Sequence, residues 1–590
     1  MHRTRNARSF APLTIAVVAA ACATAAPVMM NEFGNPPRHA PAATTAAINA
    51  EDLKTRLYIF ADDSMQGRQY GRLGNMKGTA YIAAELKRMG VEPAGDNGTY
   101  FQEMPVFQRK FAPTSALGSG TRTLRWVDDW VATPGAKPRE INGTKIIFGG
   151  VQGDAANALT AEQANGKFVV MLPPAGNGRG GRGGGGGGGG GRGGRGGGAG
   201  ANPLAGAAAI AVVNLDGMDR SARVALNADP QGVLVAKAAD RYKDPTEAQL
   251  AADNAGPPAA QIRLTRAGAE ALLGAPLDGM RAGTEAGTVN GHLDHVETRV
   301  GQYARNVVGI IRGSDPVLSK TFVALGAHPD HVGYTQNPVD HDSLKLYNAA
   351  RQALMMKGGD LHAITPEEEA SIKINLDSVR KIRPPRRDSI RNGADDDGSG
   401  SMALLEIAEQ VSAMKVKPKR SLLFVWNNGE EVGLLGSAWY TIHPTVPRDS
   451  IVAQINIDMI GRGRKEDIAG GGDDYLAVVG SQRLSQELGK AVIAANVKQP
   501  APFRLDYRFD TTTTWPGYNN IYGRSDHANY ARFNIPIAFF FTGLHADYHQ
   551  STDEPQYIDY PHYARITQYI GDLVNDLANN PKRPPLDVKP

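Results

Sequence analysis

Apolar residues follow different rhythms in successive stretches of the chain, and the changes divide it. Residues 50 to 92 hold two segments with apolar positions at helical spacing, AEDLKTRLYIFADD and NMKGTAYIAAELKRMG, the second closed by Gly90. They predict two packing helices. From about 115 to 290 the pattern turns to short β-rich runs, KIIFGGV, GKFVVMLP, AAIAVVNLDG, GVLVAKA and AQIRLT, between Gly and Pro clusters. That predicts a separate, inserted β domain. Beyond residue 300, strand-like TFVALGA (321–327), RSLLFVWN (420–427), IVAQINIDMI (451–460), YLAVVG (475–480) and IPIAFFFTG (535–543) alternate with helical SMALLEIAEQVSAM, SQELGKAVIAANV and HYARITQYIGDLVNDLA. Strands so continuously apolar are covered by helices on both faces. The expected class is α/β: a mixed, mostly parallel central sheet flanked by helices, with a β-rich domain inserted.

Composition agrees with a globular chain and excludes some chemistry. Of 590 residues, 41% are apolar and 21% charged, which is not the balance of a disordered protein. The single cysteine, Cys22, closes no intrachain disulfide and supplies no thiolate zinc site, so a metal centre must come from His, Asp and Glu. Arg3, Arg5 and Arg8 precede the small, apolar run APLTIAVVAAAC, the order of a secretory signal spanning residues 1 to 26. The run is too short to cross a bilayer. Ala19-Ala20-Ala21-Cys22 resembles a lipobox without its usual Leu, so two outcomes stand open: a bacterial lipoprotein, periplasmic or at the outer membrane, attached through lipidated Cys22, or simple cleavage after Ala25 and secretion. Residues 27 to 47, rich in Pro and Ala, read as a linker.

The formal charge of +4 is local in origin. Without the three leader arginines the balance is 61 basic against 60 acidic residues, and without Arg179, Arg182, Arg192 and Arg195 as well it is 57 against 60. Those four lie in the tract at 176–202, where 19 of the 69 glycines fall between residues 176 and 200. A segment with no apolar group to order it predicts a mobile loop. The same tract could be an RNA tether, but it lacks aromatics to stack on bases, and no nucleic-acid partner is expected.

Acids and histidines gather where strands give way to loops. His328, Asp330 and His331 follow TFVALGA, Glu430 and Glu431 follow LLFVWNNG, Asp458 ends INID, and His549 comes soon after IAFFFTG; Asp395, Asp396 and Asp397 stand just before a helix. In α/β sheets ligands collect at such strand ends, and converging carboxylates repel unless cations neutralise them. This predicts a two-metal site.

The segments GAHPDHVG, NGADDDGSG, NNGEEVGLLGSAWY, NIDMIG and DYHQSTDEP resemble, in order and context, family twenty-eight of the metallopeptidases, the co-catalytic zinc aminopeptidases related to glutamate carboxypeptidase II and the glutaminyl cyclases. The likeness extends over most of residues 50 to 580. It implies a domain plan: an amino-terminal part of the peptidase domain at 48–114, a protease-associated insert at 115–290, and a zinc peptidase domain at 291–590. It implies two zinc ions per chain, His328 and Asp458 on one, Glu431 and His549 on the other, and Asp396 between them. Glu430 would be the general base, Tyr548 a donor to the developing oxyanion, and Asp330 the acceptor that fixes the ring of His328. Asp395 and Asp397 are expected as turn and cap residues; His331, His341, His527 and Asp526 stay unassigned.

The expected activity is removal of amino-terminal residues from peptides. A carboxypeptidase or dipeptidase of the glutamate carboxypeptidase type, and a non-catalytic receptor-like protein on the same scaffold, are the alternatives. The stretch from His328 to Asp396 is longer than the family's usual loop, and its residues 345 to 390, partly helical and strongly charged, read either as a solvated surface excursion or as a lid. The pattern leaves the oligomeric state undefined.

Overall fold

A computed structural model describes residues 39–587 except 105, 112–113, 133–138, 175–202, 219–222, 224–232, 237–259, 301–303, 359–361, 363, 511–513, 516–517 and 520. The expected signal with Cys22, the first part of the linker and the glycine tract lie outside the described residues. Nine strands build the central sheet: β1 (Glu92–Pro93), β2 (Phe101–Glu103), β3 (Arg305–Ile311), β4 (Phe322–Ala327), β5 (Ser421–Trp426), β6 (Ile451–Ile457), β7 (Tyr475–Val479), β8 (Arg504–Asp506) and β9 (Ile537–Phe541). Their order is β1-β3-β5-β4-β6-β9-β7-β8, with β2 also on β3.

The fold is mixed α/β, but "mostly parallel" describes only its centre. β5, β4, β6 and β9 run parallel, as do β7 and β8. The pairs β3–β5, β9–β7, β1–β3 and β2–β3 are antiparallel. Parallel neighbours require a crossover of a dozen or more residues, usually a helix, whereas antiparallel strands at the flanks do not.

Burial explains the unbroken apolar strands. In β5, Leu422, Phe424 and Trp426 enter one core, while Leu423 and Val425 enter another on the opposite face. The first core is closed by α1 (Ala50–Phe60), α2 (Leu73–Arg88), α4 (Gly400–Ala413), α5 (Gln486–Val497) and α6 (Tyr560–Asn579), α3 being His341–Met355. Along α6, Ile566, Ile570, Leu573 and Leu577 are buried at spacings of four and three, the stripe of a helix laid on a sheet. Two short helices, Leu435–Ile442 and His527–Ala531, bring Tyr440 and Tyr530 to the second core. A wholly buried Arg56 joins α1 to α2 and α4 by ion pairs to Glu85 (2.6 Å), Glu406 (2.9 Å) and Glu409. The end of the expected linker is tied to these helices: Thr44 donates to Glu409 (2.6 Å) and Thr45 to Asp52 (2.7 Å).

Eight strands lying between residues 116 and 293 form a second sheet with its own core around Trp130, Ile146, Phe148, Phe168, Val170 and Leu264. The chain enters and leaves it through Val106–Phe111 and His295–Val300, which pair antiparallel with each other. Tyr334–Asp340 pairs with Arg387–Ile390, and α3 lies in the excursion between them. Among the described residues no helix is long and apolar enough to cross a membrane.

Candidate metal centre

Because β5, β4, β6 and β9 are parallel, their carboxyl ends share one edge of the sheet, and the loops that leave them converge. His328 follows β4, Glu430 and Glu431 follow β5, Asp458 follows β6 and His549 lies beyond β9. Asp396 arrives from the turn ahead of α4 and is buried. Its two oxygens face different neighbours. Oδ1 is 3.3 Å from His328 Nε2, which is itself 3.7 Å from Asp458 Oδ1. Oδ2 is 3.1 Å from His549 Nε2, and that nitrogen is 2.9 Å from Glu431 Oε2. The structure thus gathers two donor groups, His328, Asp396 and Asp458, and His331, Asp396, Glu431 and His549, within each of which the donor atoms lie within 4.8 Å of one another.

These atoms approach without satisfying each other. Asp396 Oδ2, Glu431 Oε1, Asp458 Oδ1, His549 Nε2 and both ring nitrogens of His331 are buried and lack hydrogen-bond partners, although His331 Nδ1 is only 2.8 Å from Glu431 Oε1. Buried polar atoms are normally paired, and orphaned ones aimed at a common point form a cation cradle. Imidazole and carboxylate donors in this number fit a borderline divalent ion such as zinc.

The residues around the donors hold them in place. Asp397 accepts from the backbone N–H of His328 (2.9 Å), Gly400 (2.8 Å) and Met459 (3.2 Å). Asp395 accepts from Gly461 N–H (2.7 Å) and Ser399 Oγ–H (2.8 Å). Ser525 donates to Asp458 Oδ2 (2.7 Å). Asp330 departs from its expected place. His328 Nδ1 meets the backbone oxygen of Asp330 at 3.1 Å, and the carboxylate stands off at 3.7 Å. That carboxylate instead accepts from the N–H groups of Gly429 (2.7 Å), Glu430 (3.2 Å) and Glu431 (3.3 Å), because the turn after β5 presents its amides to the end of β4. The backbone contact still leaves His328 Nε2 free for a metal.

Charge in the cluster is unevenly shared. Burial alone would depress His549, yet Glu431 and Asp396 push it up to about 11. Burial would raise Glu431, but His549 and His331 hold it down to about 2. Glu430 is pushed well up by burial, against the pull of His328, with Glu431, Asp458 and Asp526 adding to the rise. Asp526, buried among the same groups, rises to about 8. The carboxylates thus draw protons onto histidines where no other cation serves them.

Glu430 and Tyr548 line a pocket beside His328, Asp396 and Asp458, with an apolar wall of Met459, Ile521, Phe539, Phe541 and Leu544 and with Arg524. The Tyr548 ring stacks on His549, centroids 3.8 Å apart, and burial with the nearby carboxylates holds its hydroxyl protonated. His331, which stands with His328 at the end of β4 and to which the family resemblance gives no ligand role, joins the second donor group. His527 packs on Phe539 at 4.6 Å and bonds to Tyr522 O at 2.8 Å. His341 belongs elsewhere, beside Glu554 at 2.9 Å.

Known proteins resemble the part of the chain that carries this cluster. A segment of 172 residues is 30% identical to leupeptin-inactivating enzyme 1 of Streptomyces exfoliatus, covering 29% of this chain and 33% of that protein. Leucine aminopeptidase 1 of Arthroderma otae is 26% identical over 196 residues, 32% of this chain and 48% of that one. The matches therefore span about a third to a half of these relatives' lengths. The solved aminopeptidase from Aneurinibacillus sp. strain AM-1 aligns over 92% of this chain and 97% of its own, at 16% identity and a TM-score of 0.46. The model of Peptidase family M28 matches residues 306–574, which hold every residue of both donor groups.

Proposed function

We propose that the chain is an exported, two-zinc exopeptidase that removes amino-terminal residues from peptides. The observation that carries this reading is Asp396, whose two oxygens face two separate sets of imidazole and carboxylate donors. His328 and Asp458 would hold one zinc, Glu431 and His549 the other, with Asp396 shared and His331 alongside. When bound, such a pair polarises the scissile carbonyl and lowers the pKa of water to near neutrality. Glu430, next to a donor but outside both groups, takes the proton of the attacking water and returns it to the departing amine. Tyr548 O–H donates to the carbonyl oxygen as its charge grows. Carboxylates around the centre hold the substrate's α-ammonium. The wall of Phe539, Phe541, Leu544, Met459 and Ile521 suits a bulky apolar first side chain.

In this reading the β-rich insert is a protease-associated domain, and the leader exports the protein, with attachment through Cys22 where that residue is lipidated. Arg524 favours a second reading. It is a cation on the pocket lining, and a carboxypeptidase or dipeptidase needs one to meet a substrate carboxylate. Digestion of a peptide library containing free and N-blocked members, read by mass spectrometry, separates the two. Stepwise loss of amino-terminal Leu, Phe and Met from free peptides is expected, and cleavage of the blocked members alone would overturn the aminopeptidase reading.

A further inference from the structure

Within the excursion between His331 and Asp396, the helix α3 packs against the body of the protein. On α3, His341, Lys345, Asn348 and Gln352 are all buried, at spacings of four, three and four that place them on one helix face. Surface helices bury apolar stripes, whereas this one buries polar groups, an arrangement that is unfavourable unless each meets a partner. Gln352 donates to Asp467 O at 2.8 Å. The other three face one short segment, 545–557, which carries Tyr548 and His549. His341 Nε2 stands 2.9 Å from Glu554, and its ring stacks on Tyr557 at 6.0 Å. Lys345 pairs with buried Asp547 and lies 3.9 Å over the Tyr557 ring. Asn348 donates to Thr552 Oγ1 (3.2 Å), which donates to Asp547 Oδ1 (2.7 Å). At the far end of the excursion, Arg386 forks onto both oxygens of Glu554 at 2.7 and 2.8 Å.

Asp553 grips the same segment from the metal side, accepting from Asp395 N–H at 3.0 Å and Asp396 N–H at 3.1 Å. Between these two grips His549 is held at φ 59°. A non-glycine residue stays in the left-handed region where its surroundings over-determine it.

We infer that α3 positions His549, and that Lys345, acting through Asp547, sets how tightly the zinc on the Glu431 and His549 side is held. The inference rests on the two-zinc reading above. The test is a zinc titration of the chelator-stripped, full-length protein against a competing zinc indicator. Wild type is compared with Lys345→Met, Asn348→Ala, Lys345→Arg and Asp342→Asn. Asp342 is an internal control: its carboxylate, 3.8 Å from His341 Nδ1, pairs with Arg380 and Arg383 within the excursion and makes no ion pair to the segment 545–557. Wild type is expected to bind two zinc ions. Lys345→Met and Asn348→Ala should bind the first as wild type does and the second about 10-fold more weakly, the low end of the range for an outer partner of a metal ligand, since they reach His549 only through the segment that carries it. Lys345→Arg, which keeps the cation, should recover most of that loss, and Asp342→Asn should bind both ions like wild type.

If Lys345→Met fails to fold, by circular dichroism, Asn348→Ala decides alone. Wild-type affinity for the second zinc in the folded variants overturns the inference, as does an equal loss in Asp342→Asn. A wild-type protein that binds fewer than two ions overturns the two-zinc reading and this inference together, and is told apart by the wild-type titration itself.

Discussion

Asp330→Asn tests what holds the turn that carries Glu430 and Glu431. One carboxylate oxygen accepts from the N–H of Gly429 at 2.7 Å and of Glu430 at 3.2 Å, the other from Glu431 N–H at 3.3 Å. An asparagine keeps its oxygen toward the first two only by turning its amide donor toward the third. A hydrogen bond to a charged acceptor contributes about 1.5–3 kcal/mol, and the long Glu431 contact belongs at the low end. Neutralising the acceptor roughly halves the two that remain. The expected loss is about 3 kcal/mol, and the flipped amide, which sacrifices two bonds, costs more. Urea unfolding of the metal-free protein, followed by tryptophan fluorescence, measures it. Zinc affinity should fall about 10- to 100-fold in the same variant, because the Glu431 amide is no longer anchored. A variant within about 0.5 kcal/mol of wild type, with unchanged zinc affinity, would refute the reasoning and leave the turn to its own bonds from Gly433 and Leu434 to Glu430 O, both 2.9 Å.

Three further outcomes are expected. Glu430→Gln should lower kcat by about 10²- to 10⁴-fold with bound zinc unchanged by elemental analysis; retained activity would remove Glu430 as the base. Tyr548→Phe should cost about 10²-fold in kcat while KM stays nearly constant, and a change confined to KM would give Tyr548 a binding role. The metal-free protein should lose stability between pH 5 and 8. Asp526, raised to about 8, keeps a proton that the unfolded chain releases near pH 4, so its share declines as pH climbs from about 4 to 8. His549, raised to about 11, contributes stability that is fully present below about pH 6.5 and declines as pH rises toward 11. Urea midpoints measured in chelator at pH 5 and 8 check this, with Asp526→Asn expected to flatten part of the slope and zinc to restore the midpoint at pH 8; a flat profile in wild type would count against the charge balance described above.

Much of the architecture is local enough to read along the chain. The apolar runs that become β4, β5, β6, β7 and β9 announce themselves, because strands buried on both faces need no polar alternation. The helices at 50–60, 73–88, 400–413, 486–497 and 560–579 follow their own spacing. The short edge strands and the antiparallel flanks do not, since two or three residues hold no periodicity and pairing direction depends on what lies alongside.

The site divides in the same way. Residue type and position after a strand are one-dimensional properties, and they gather His328, Asp330, His331, Asp395, Asp396, Asp397, Glu430, Glu431, Asp458 and His549 into one constellation, from which the family resemblance singles out Asp396 as the shared ligand. Which oxygen of Asp396 faces which donor, and the turn of Asp330 away from His328 toward three amides, are decided by folding alone. Nothing along the chain gives His331 or Asp526 a role of its own, because a polar residue looks the same in sequence whether its side chain enters a cluster or solvent. The face of α3 shows this best. The stretch at 345–390 reads along the chain as strongly charged and partly helical, and the segment at 545–557, some two hundred residues away in the chain, gives His341, Lys345 and Asn348 their buried partners. Periodicity tells which residues share a side, but the partner that makes a side worth burying is supplied by tertiary contact.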